Sequence, residues 1–586
     1  MNRLLLVSLF SLYLAFSQAP VSAGDPADLL NGATQVNNVM VEMRDGVRLG
    51  TDILLPEGEG PFPVILFRNP YVKDGVTKSN GQGMLKEGYA IVSQDVRGRF
   101  TSEGVWDPFR NEGRDGHDTL EWIGKQPWCN GKIGLAGGSY LGFTQCINGP
   151  SPSKYLAAMN PIVPWGNTYH DIIYWGGALR FQLTHFWGGA QYLFGEGKPM
   201  PDIVEKGLFW HLPLITWDQQ LGAEVFYLRE WVRHPNYGEY WKPAEVGDSI
   251  ENVTIPALYI GGWYDIFQTP VIDYWNGVRT RSKSEEARKR QYLIMGPWTH
   301  GVSPADGKVG DLVFGEHSNV HPDRLKKAFF AETMKGEDHG FSDRAPLQLF
   351  VMGSNVWRDE SEWPLARTQF KPLYLSASGP ANSASGEGRL SWDITEDGRA
   401  TDVFTYNPED PASTQGGALL WPTAGPRDQS EVEARKDVLV YSTDVLTETV
   451  EVTGPVKLIL HAASSATDTD FTGKLVDVYP KDGKEVPYNL TDGIIRARYR
   501  NSDTTPSLIE PGRVYEYVIN LGVTSNAFLP GHRIRVEISS SNFPRFDRNP
   551  NTGHEFGMDA QIQTAEQTIH HSEEHPSHLL LPIIPN

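Results

Sequence analysis

The sequence predicts an α/β fold in which helices cover a parallel sheet and a separate β-rich domain follows. Three observations support this prediction. Apolar runs such as PVILF, YAIVSQD and KIGLAG alternate with helix-forming segments such as DGHDTLEWIGKQ. A tryptophan-rich segment interrupts that alternation, which then resumes. Beyond about Arg367, short alternating strands separated by Gly, Pro, Asn and Asp replace it.

The first residues are typical of a secretory signal peptide. A positive charge at Arg3 precedes an apolar run from Leu4 to Phe16, and a stretch of small residues that ends at Ala23 forms the expected cleavage site. The run is too short to span a bilayer, and no later run reaches about 18 apolar residues. A retained anchor is the less favoured alternative. We therefore expect residues 1–23 to be removed and the protein to be exported to a periplasm or the medium.

The next part of the chain is predicted to form one α/β domain in two parts, residues 24–166 and 247–366, because the alternation resumes at IPALYIGGW and RQYLIMGPW. Residues 167–246 are predicted to form an inserted helical cap. Seven of the 17 tryptophans lie between Trp165 and Trp241. Two interpretations stay open: a lid that presents aromatic surface, or a subdomain whose tryptophans fill its own core.

Residues 367–586 are predicted to form an antiparallel β-domain, a sandwich or jelly roll. The segments TVEVTG, VKLILHAAS, RVYEYVINLG and HRIRVEISS are short, alternate between apolar and polar residues, and are bounded by turn residues. The whole chain is therefore expected to be an α/β domain with an inserted cap and a C-terminal β sandwich or jelly roll.

Composition and charge exclude several kinds of partner. The formal net charge is −20, whereas nucleic acids and anionic membranes are bound through basic patches.

Two cysteines, Cys129 and Cys146, are too few for a disulfide scaffold, and we expect both to be free thiols. The four histidines of HHSEEHPSH favour a polar strand end over a metal site. We expect no metal and no cofactor, and a homo-oligomer stays open.

The stretch GLAGGSYLGFTQ contains the strongest chemical signal. Ser139 lies between a predicted strand and a predicted helix, and glycines at positions 137, 138 and 142 relieve crowding in so tight a turn. This is the pattern of a nucleophile elbow. The phosphate-binding alternatives fail, because the Walker motif needs Gly-Lys-Ser/Thr and the dinucleotide motif needs a glycine where Ser139 stands. A plain strand-to-helix turn is the structural alternative.

A serine nucleophile needs a base and a group that orients that base. In α/β-hydrolases these follow in the order Ser, Asp or Glu, then His, each just past a strand. Asp265 follows ALYIGG and His300 follows YLIMG. An Asp at that place can also be a helix cap, and most histidines are structural. The order and the three strand ends together favour a catalytic triad.

The oxyanion of such a reaction needs two hydrogen-bond donors. The backbone N–H of Tyr140, which follows the nucleophile, is the first expected donor. The second is expected after an earlier strand, where FRNPY places Tyr71. A packing role for Tyr71 is the alternative at this point.

Longer segments carry more information than single motifs. They are FRNPY, QDVRGRFTSEG, QPWCNGKIGLAGGSYLG, GGWYDIF, GPWTHG, VYSTDVLTETVEVTG, DTDFTGKLVDVYP, LPGHRIRVEISSSNFPRFDRNPNTG and HPSHLLLPI. In these segments, from about Val41 to the end, the chain resembles the bacterial cocaine esterase family, which is related to Xaa-Pro dipeptidyl-peptidases and α-amino acid ester hydrolases. The resemblance implies an α/β-hydrolase domain with an inserted helical cap and a C-terminal jelly roll.

The resemblance also implies site residues. Ser139 would be the nucleophile, His300 the base and acid, and Asp265 its orienter, while the Tyr71 hydroxyl and the Tyr140 N–H would bind the oxyanion. Pocket walls would be formed by Trp175, Trp187, Phe267, Leu420 and Trp421. The cap departs most from the family, so the match of Trp175 is the weakest.

We therefore expect an exported serine hydrolase of carboxylic esters, or of activated amides, with an aromatic or apolar acyl group. Two alternatives are carried. An Xaa-Pro dipeptidyl-peptidase or α-amino acid ester hydrolase would need carboxylates for a free α-ammonium group, and Leu141 beside the nucleophile is apolar. A glycan- or polymer-binding protein with an inactive hydrolase fold is the alternative of another class.

Overall fold

The computed structural model describes residues 32–75, 80–199, 207–301, 304–394, 398–420 and 422–585. The predicted signal peptide lies outside these residues, and so does Trp421. Two large sheets organise the chain, one of ten strands and one of eleven. Among the described residues, no helix is long and apolar enough to cross a membrane.

The strands before the C-terminal domain fall into one large sheet and two small hairpins. In chain order they are β1 (Thr34–Glu42), β2 (Arg48–Leu55), β3 (Phe62–Asn69), β4 (Ala90–Asp95), β5 (Cys129–Gly138), β6 (Leu156–Ile162), β7 (Tyr174–Trp175), β8 (Ala178–Leu179), β9 (Ala257–Tyr264), β10 (Gln291–Thr299), β11 (Lys308–Val309), β12 (Leu312–Val313), β13 (Leu347–Val351) and β14 (Val356–Glu360). The large sheet has the order β1-β2-β4-β3-β5-β6-β9-β10-β13-β14.

The middle of this sheet, from β4 to β13, is parallel. Strand β9 reads ALYIGGWY and is buried along its whole length, as expected for a parallel strand covered on both faces. The carboxyl ends of β5, β9 and β10 therefore lie at one edge, close together in the sheet order. The predicted α/β fold class is confirmed, with this parallel sheet at its centre.

The helices connect and cover these strands. They are α1 (Asn80–Lys86), α2 (Glu112–Gly124), α3 (Tyr140–Asn148), α4 (Trp187–Gly195), α5 (Phe226–Arg233), α6 (Gln268–Arg281), α7 (Glu285–Lys289), α8 (Pro322–Phe330) and α9 (Ser430–Glu433). Helix α3 follows β5 directly, with Ser139 alone between them. That connection is as tight as the sequence predicts.

The insertion between β6 and β9 consists of the hairpin β7–β8, helices α4 and α5, and short π- and 3₁₀-helical turns. The tryptophans of this region mostly fill its core: Trp165, Trp217, Trp231 and Trp241 are among the largest fully buried side chains. Among the tryptophans of the described part of the insertion, Trp210 is the one with marked exposure, at 47%. The core-filling interpretation of the segment therefore describes most of these side chains.

The C-terminal third forms the second sheet. Its strands are β15 (Gln369–Ala377), β16 (Gly388–Ser391), β17 (Thr401–Tyr406), β18 (Leu439–Ser442), β19 (Val450–Ser464), β20 (Asp470–Lys481), β21 (Lys484–Arg496), β22 (Tyr515–Phe528), β23 (Arg533–Ser539), β24 (Ala565–His570) and β25 (His578–Ile584). Their order is β17-β24-β19-β25-β15-β16-β18-β23-β20-β21, and β22 pairs with β19. The predicted separate β-sandwich domain is confirmed. Its jelly-roll topology and the residue boundaries between domains stay predictions.

The two sheets are joined by backbone pairing. The Met352 N–H donates to the Ser525 carbonyl at 3.0 Å, and the Ala527 N–H donates back to Met352 at 2.8 Å. The Tyr264 hydroxyl at the end of β9 donates to the Asn489 carbonyl of β21 at 3.2 Å. One continuous apolar core contains residues from both sheets. The β-domain therefore completes the packing of the hydrolase domain.

A chain that ends at Arg367 is expected to lose its fold, because it would expose that shared core and leave the Met352 backbone unpaired. Circular dichroism, thermal melting and ester hydrolysis would measure the effect. A protease site inserted between Glu360 and Gln369 provides the control, because the uncut preparation keeps both sheets. A folded and active fragment would instead favour a detachable binding module.

Candidate active site

Ser139 occupies a strained turn between β5 and α3. Its φ is 58° and its ψ is −122°, a backbone conformation that residues other than glycine rarely adopt. The Ser139 N–H donates to the Ile162 carbonyl of β6 at 2.9 Å, and the Phe143 N–H of α3 donates to the Ser139 carbonyl at 2.9 Å. The neighbouring strand and helix thus hold the backbone of this turn through the N–H and the carbonyl of Ser139.

Two of the three glycines beside Ser139 are required by space. At Gly137, φ is 124° and a Cβ would lie 2.6 Å from the Leu141 Cβ. At Gly142, a Cβ would lie 2.9 Å from the Ile162 carbonyl oxygen, so α3 could not approach β6. At Gly138, by contrast, the nearest atom to an added Cβ would be 3.4 Å away, which is an ordinary contact distance. The geometry therefore does not require glycine at position 138, although the sequence predicts that this glycine relieves crowding.

The three predicted triad residues form one hydrogen-bonded chain. The His300 Nε2 lies 2.9 Å from the Ser139 Oγ. The His300 Nδ1 lies 2.6 Å from the Asp265 Oδ2. These residues stand 161 and 35 positions apart in the sequence, and the common edge of the parallel sheet brings them together. A base in contact with a hydroxyl and an acid in contact with the base are the parts that nucleophilic catalysis needs.

Asp265 is held rigidly in a closed environment. Its side chain is 0% exposed, and its second oxygen, Oδ1, accepts the Phe267 N–H at 2.7 Å. The carbonyl of the next residue, Ile266, accepts an N–H from the Arg180 guanidinium at 2.7 Å. Burial and the nearby Arg545 charge lower the pKa of Arg180 to about 9, while the Asp171, Asp265 and Asp492 charges oppose the shift. The sequence analysis missed Arg180, whose only signal is a cation inside the apolar segment GGALRF.

Tyr71 lies beside the nucleophile. Its hydroxyl accepts the indole N–H of Trp187 at 3.3 Å, so its own proton stays available for another acceptor. Burial raises the pKa of Tyr71 to about 12, while the neighbouring Trp187 and Ser139 side chains and the Arg99 charge act in the opposite direction. The Asn69 side chain accepts the Tyr71 N–H at 2.6 Å and fixes the turn after β3.

The Tyr140 backbone N–H is the first of helix α3, where N–H groups have no partner within the helix. Its own side chain is engaged elsewhere: the hydroxyl donates to the Glu112 Oε1 at 2.9 Å. Arg68 lies 2.8 Å from the other oxygen of Glu112, and both side chains are buried. Burial raises the pKa of Glu112, and the Arg68 charge opposes this shift. The sequence analysis missed this pair, which anchors α3 from behind.

The predicted pocket residues do not all lie in one place. Trp187 stacks on Tyr140, with ring centres 6.2 Å apart. Phe267 meets the His300 ring edge-on at 5.6 Å. Leu420 packs against the same aromatic cluster as Trp187 and Phe267. Phe267 thus contacts the His300 ring directly, whereas Trp187 and Leu420 lie in or against the aromatic cluster that also contains Phe267.

Trp175 has a different environment. Its indole N–H donates to the Asn520 carbonyl of β22 at 3.0 Å, and its ring packs with Ile494 and Phe546. Trp175 thus packs mainly on the β-domain, and the Arg180 guanidinium lies 5.7 Å from its ring centre. Among the described residues, no direct contact joins Trp175 to Ser139, Asp265 or His300.

The remaining candidate groups have ordinary surroundings. Cys129 is half-buried and Cys146 is buried, and both are free thiols. Of the C-terminal histidines, His571 contacts the Asp402 carboxylate at 3.0 Å. Within the part of the chain that the structure describes, no group of three or more His, Cys, Asp or Glu side chains is arranged to hold a metal ion.

Comparison with known protein families gives a match for each of the two domains. Residues 45–302 match the family described as X-Pro dipeptidyl-peptidase (S15 family), and residues 339–580 match the X-Pro dipeptidyl-peptidase C-terminal non-catalytic domain. The chain is 41% identical to the cocaine esterase of Rhodococcus sp. (strain MB1 Bresler), over 94% of this chain and 98% of that protein.

More distant relatives are also similar over nearly the whole length. A putative serine esterase of Mycobacterium bovis is 25% identical over 93% of this chain and 94% of its own. The solved structure of an α-amino acid ester hydrolase labelled with selenomethionine superposes with a TM-score of 0.81 and 27% identity, and covers 96% of this chain and 98% of that one.

Proposed function

Because the chain belongs to the cocaine esterase-like family of serine hydrolases, we propose that it cleaves carboxylic esters through an acyl-enzyme on Ser139. The observation that carries this proposal is the hydrogen-bonded chain Ser139–His300–Asp265, with contacts of 2.9 and 2.6 Å. Activated amides, whose leaving groups depart almost as readily as alcohols, are the proposed secondary substrates.

In the proposed reaction His300 accepts the proton of the Ser139 hydroxyl while its oxygen attacks the ester carbonyl. The Tyr71 hydroxyl and the Tyr140 N–H bind the oxyanion that develops on the carbonyl oxygen. His300 then gives its proton to the leaving alcohol, and the acyl group stays on Ser139. Water repeats the same steps and releases the acid. Asp265 holds His300 in the tautomer and orientation that both halves need.

The acyl group is proposed to be aromatic or apolar. Trp187 stacks on the Tyr140 ring, Phe267 meets the His300 ring edge-on, and Leu420 packs against the same aromatic cluster. Aromatic rings gain from edge-on or offset contacts with other rings, beyond the area they bury. A benzoyl group would make such contacts, whereas an acetyl group is too small to reach them.

The α-amino acid reading is less well supported. A free α-ammonium group needs uncompensated carboxylates nearby, but Asp492 is paired with Arg545, and the Arg180 cation is bound to the carbonyl that follows Asp265. A buried cation at that place would repel an ammonium group. The overall similarity to an α-amino acid ester hydrolase nevertheless justifies a direct test.

That test uses phenyl acetate, phenyl butyrate, phenyl benzoate and an Ala-Pro anilide with the mature protein. We expect kcat/KM for the benzoate to exceed that for the acetate by about tenfold or more, since burying a ring in an aromatic site contributes about 1.5–3 kcal/mol. Equal values for the two esters would contradict the aromatic acyl pocket. Faster hydrolysis of the anilide than of every ester would favour the peptidase alternative.

We also propose that the protein is exported, on the basis of the first 23 residues of the chain. N-terminal sequencing of the protein from the cell envelope or the medium would show a start at Gly24 if the cleavage site is correct. An intact Met1 in the cytoplasm would contradict the proposal.

A further inference from the structure

The segment RGRFTSEG contains two arginines in opposite surroundings. Arg97 pairs with Asp115 at 2.7 Å and with Asp45 at 2.9 Å, in a partly exposed network. Arg99 is only 4% exposed. Among the described residues, no carboxylate forms an ion pair with Arg99. A buried cation without a paired anion costs free energy, so its presence requires a reason.

The contacts of Arg99 join the oxyanion turn to the cap. Its Nε–H donates to the Pro70 carbonyl at 2.9 Å, one residue before Tyr71. Its Nη1–H donates to the Gln191 carbonyl of α4 at 2.9 Å. The guanidinium stacks 4.4 Å above the Trp106 ring. These contacts place the Arg99 side chain between the turn that precedes Tyr71 and helix α4 of the cap.

The charge of Arg99 is directed at phenol groups. Burial lowers its pKa, and the groups that oppose this shift are Tyr227, Tyr140 and Tyr71, followed by Asp95. The Nη2 atom is buried and has no hydrogen-bond partner among the described residues. A guanidinium that is this weakly neutralised exerts its field on its surroundings, and in a water-poor site that field is only slightly screened.

We infer that Arg99 is a positioning residue of the oxyanion hole: it fixes Tyr71 through the Pro70 carbonyl, and its charge strengthens the hydrogen bond that the Tyr71 hydroxyl donates to the oxyanion. This inference rests on the proposed ester hydrolysis at Ser139. It adds a residue to the reaction that neither the triad nor the two oxyanion donors include.

Two physical effects support the inference. A tyrosine hydroxyl donates a stronger hydrogen bond when its pKa is lower, and the Arg99 cation opposes the rise in the pKa of Tyr71 that burial causes. The second effect is geometric. Helix α4 carries both Gln191, which Arg99 holds, and Trp187, whose N–H contacts the Tyr71 hydroxyl. Arg99 therefore fixes Tyr71 from the hydrolase side and from the cap.

Helix α4 also leaves room for this side chain. A Cβ at Gly195 would lie 2.4 Å from the Arg99 Nη1. The close approach of helix and guanidinium therefore depends on a residue without a side chain at this position.

The test is a double-mutant cycle with Arg99→Met and Tyr71→Phe, assayed on phenyl acetate so that the acyl pocket has little influence. Tyr71→Phe removes one oxyanion donor and should lower kcat by about 10²–10³. Arg99→Met should lower kcat by about ten- to fiftyfold, with KM within about twofold, because the interaction is made in the transition state. In the Tyr71→Phe background, Arg99→Met should cost less than about threefold.

Stability measurements separate this role from a structural one. Because Arg99→Met removes an unpaired buried cation but also leaves the Pro70 and Gln191 carbonyls without this donor, its melting temperature should fall by no more than that of Arg97→Met. Arg97→Met is the matched control, and it should lower the melting temperature while kcat is retained. Arg99→Lys keeps the charge and should recover part of the lost kcat. If Arg99→Met fails to fold, Arg99→Gln takes its place in the cycle.

Each outcome decides between the proposals. A wild-type protein inactive on every ester would remove the proposed function and the inference together. An active wild type with unchanged kcat in Arg99→Met would remove the inference alone. So would an equal loss with and without Tyr71, because Arg99 would then act independently of the oxyanion donor.

Discussion

Replacing Ser139 with alanine should lower kcat for ester hydrolysis by about 10⁴- to 10⁶-fold, because no other group can form the acyl-enzyme. The hydroxyl removed is the one 2.9 Å from the His300 Nε2. Steady-state kinetics on phenyl esters would measure the loss. A fluorophosphonate that labels the wild type should also fail to label Ser139→Ala.

Ser151→Ala provides a matched control. The Ser151 hydroxyl contacts the His117 ring at 2.9 Å, at a site that takes no part in the proposed reaction. This variant should keep wild-type activity and labelling. If Ser139→Ala retained more than a few per cent of the wild-type kcat, the assignment of Ser139 as nucleophile would be wrong.

Replacing Asp265 with asparagine should lower kcat by about 10⁴-fold while the fold is kept. The asparagine carbonyl can still accept the Phe267 N–H that now binds Oδ1 at 2.7 Å. Its amide group, however, would face the His300 Nδ1 as a donor, so the imidazole would keep its proton on Nε2. A proton on Nε2 prevents His300 from accepting the serine proton.

The matched control for this change is Asp218→Asn in the cap. Asp218 is also buried and pairs with Arg229 at 2.9 Å, but it contacts no residue of the triad. The Asp218→Asn substitution should lower the melting temperature and leave kcat nearly unchanged. In a Ser139→Ala background, Asp265→Asn should cause no further loss, because the triad acts as a unit. A further tenfold loss there would mean that Asp265 has another role.

The sequence predicts the order of the candidate triad residues along the chain well, because each of these residues follows a strand. Parallel strands end at one edge of a sheet, so Ser139, Asp265 and His300 could be expected to meet once the strands were recognised. Its position after β3 made Tyr71 a candidate for the same reason, with a packing role as the alternative, and the family resemblance favoured the oxyanion role. Local periodicity was therefore sufficient for the three candidate triad positions but not for the role of Tyr71.

The environment of those residues could not be predicted in the same way. The contact between Trp187 and Tyr71 spans 116 positions, and the contact between Arg99 and Gln191 spans 92. The periodicity of each segment contains no information on which face of the cap meets which turn of the hydrolase domain. The tryptophans of the cap illustrate this: their number is evident in the sequence, but their burial depends on packing.

What the sequence determined by itself is therefore the fold class and the tight turn at Ser139, and it predicts the order Ser139, Asp265, His300 for the candidate triad, because these depend on strand periodicity and local backbone geometry. The tertiary structure alone decided that Arg99 is buried with no carboxylate ion-paired to it among the described residues, that Arg180 binds the carbonyl after Asp265, and that Trp175 packs on the β-domain. Those features depend on burial and on contacts between distant elements, and a residue's dielectric surroundings are fixed only when the whole chain has packed.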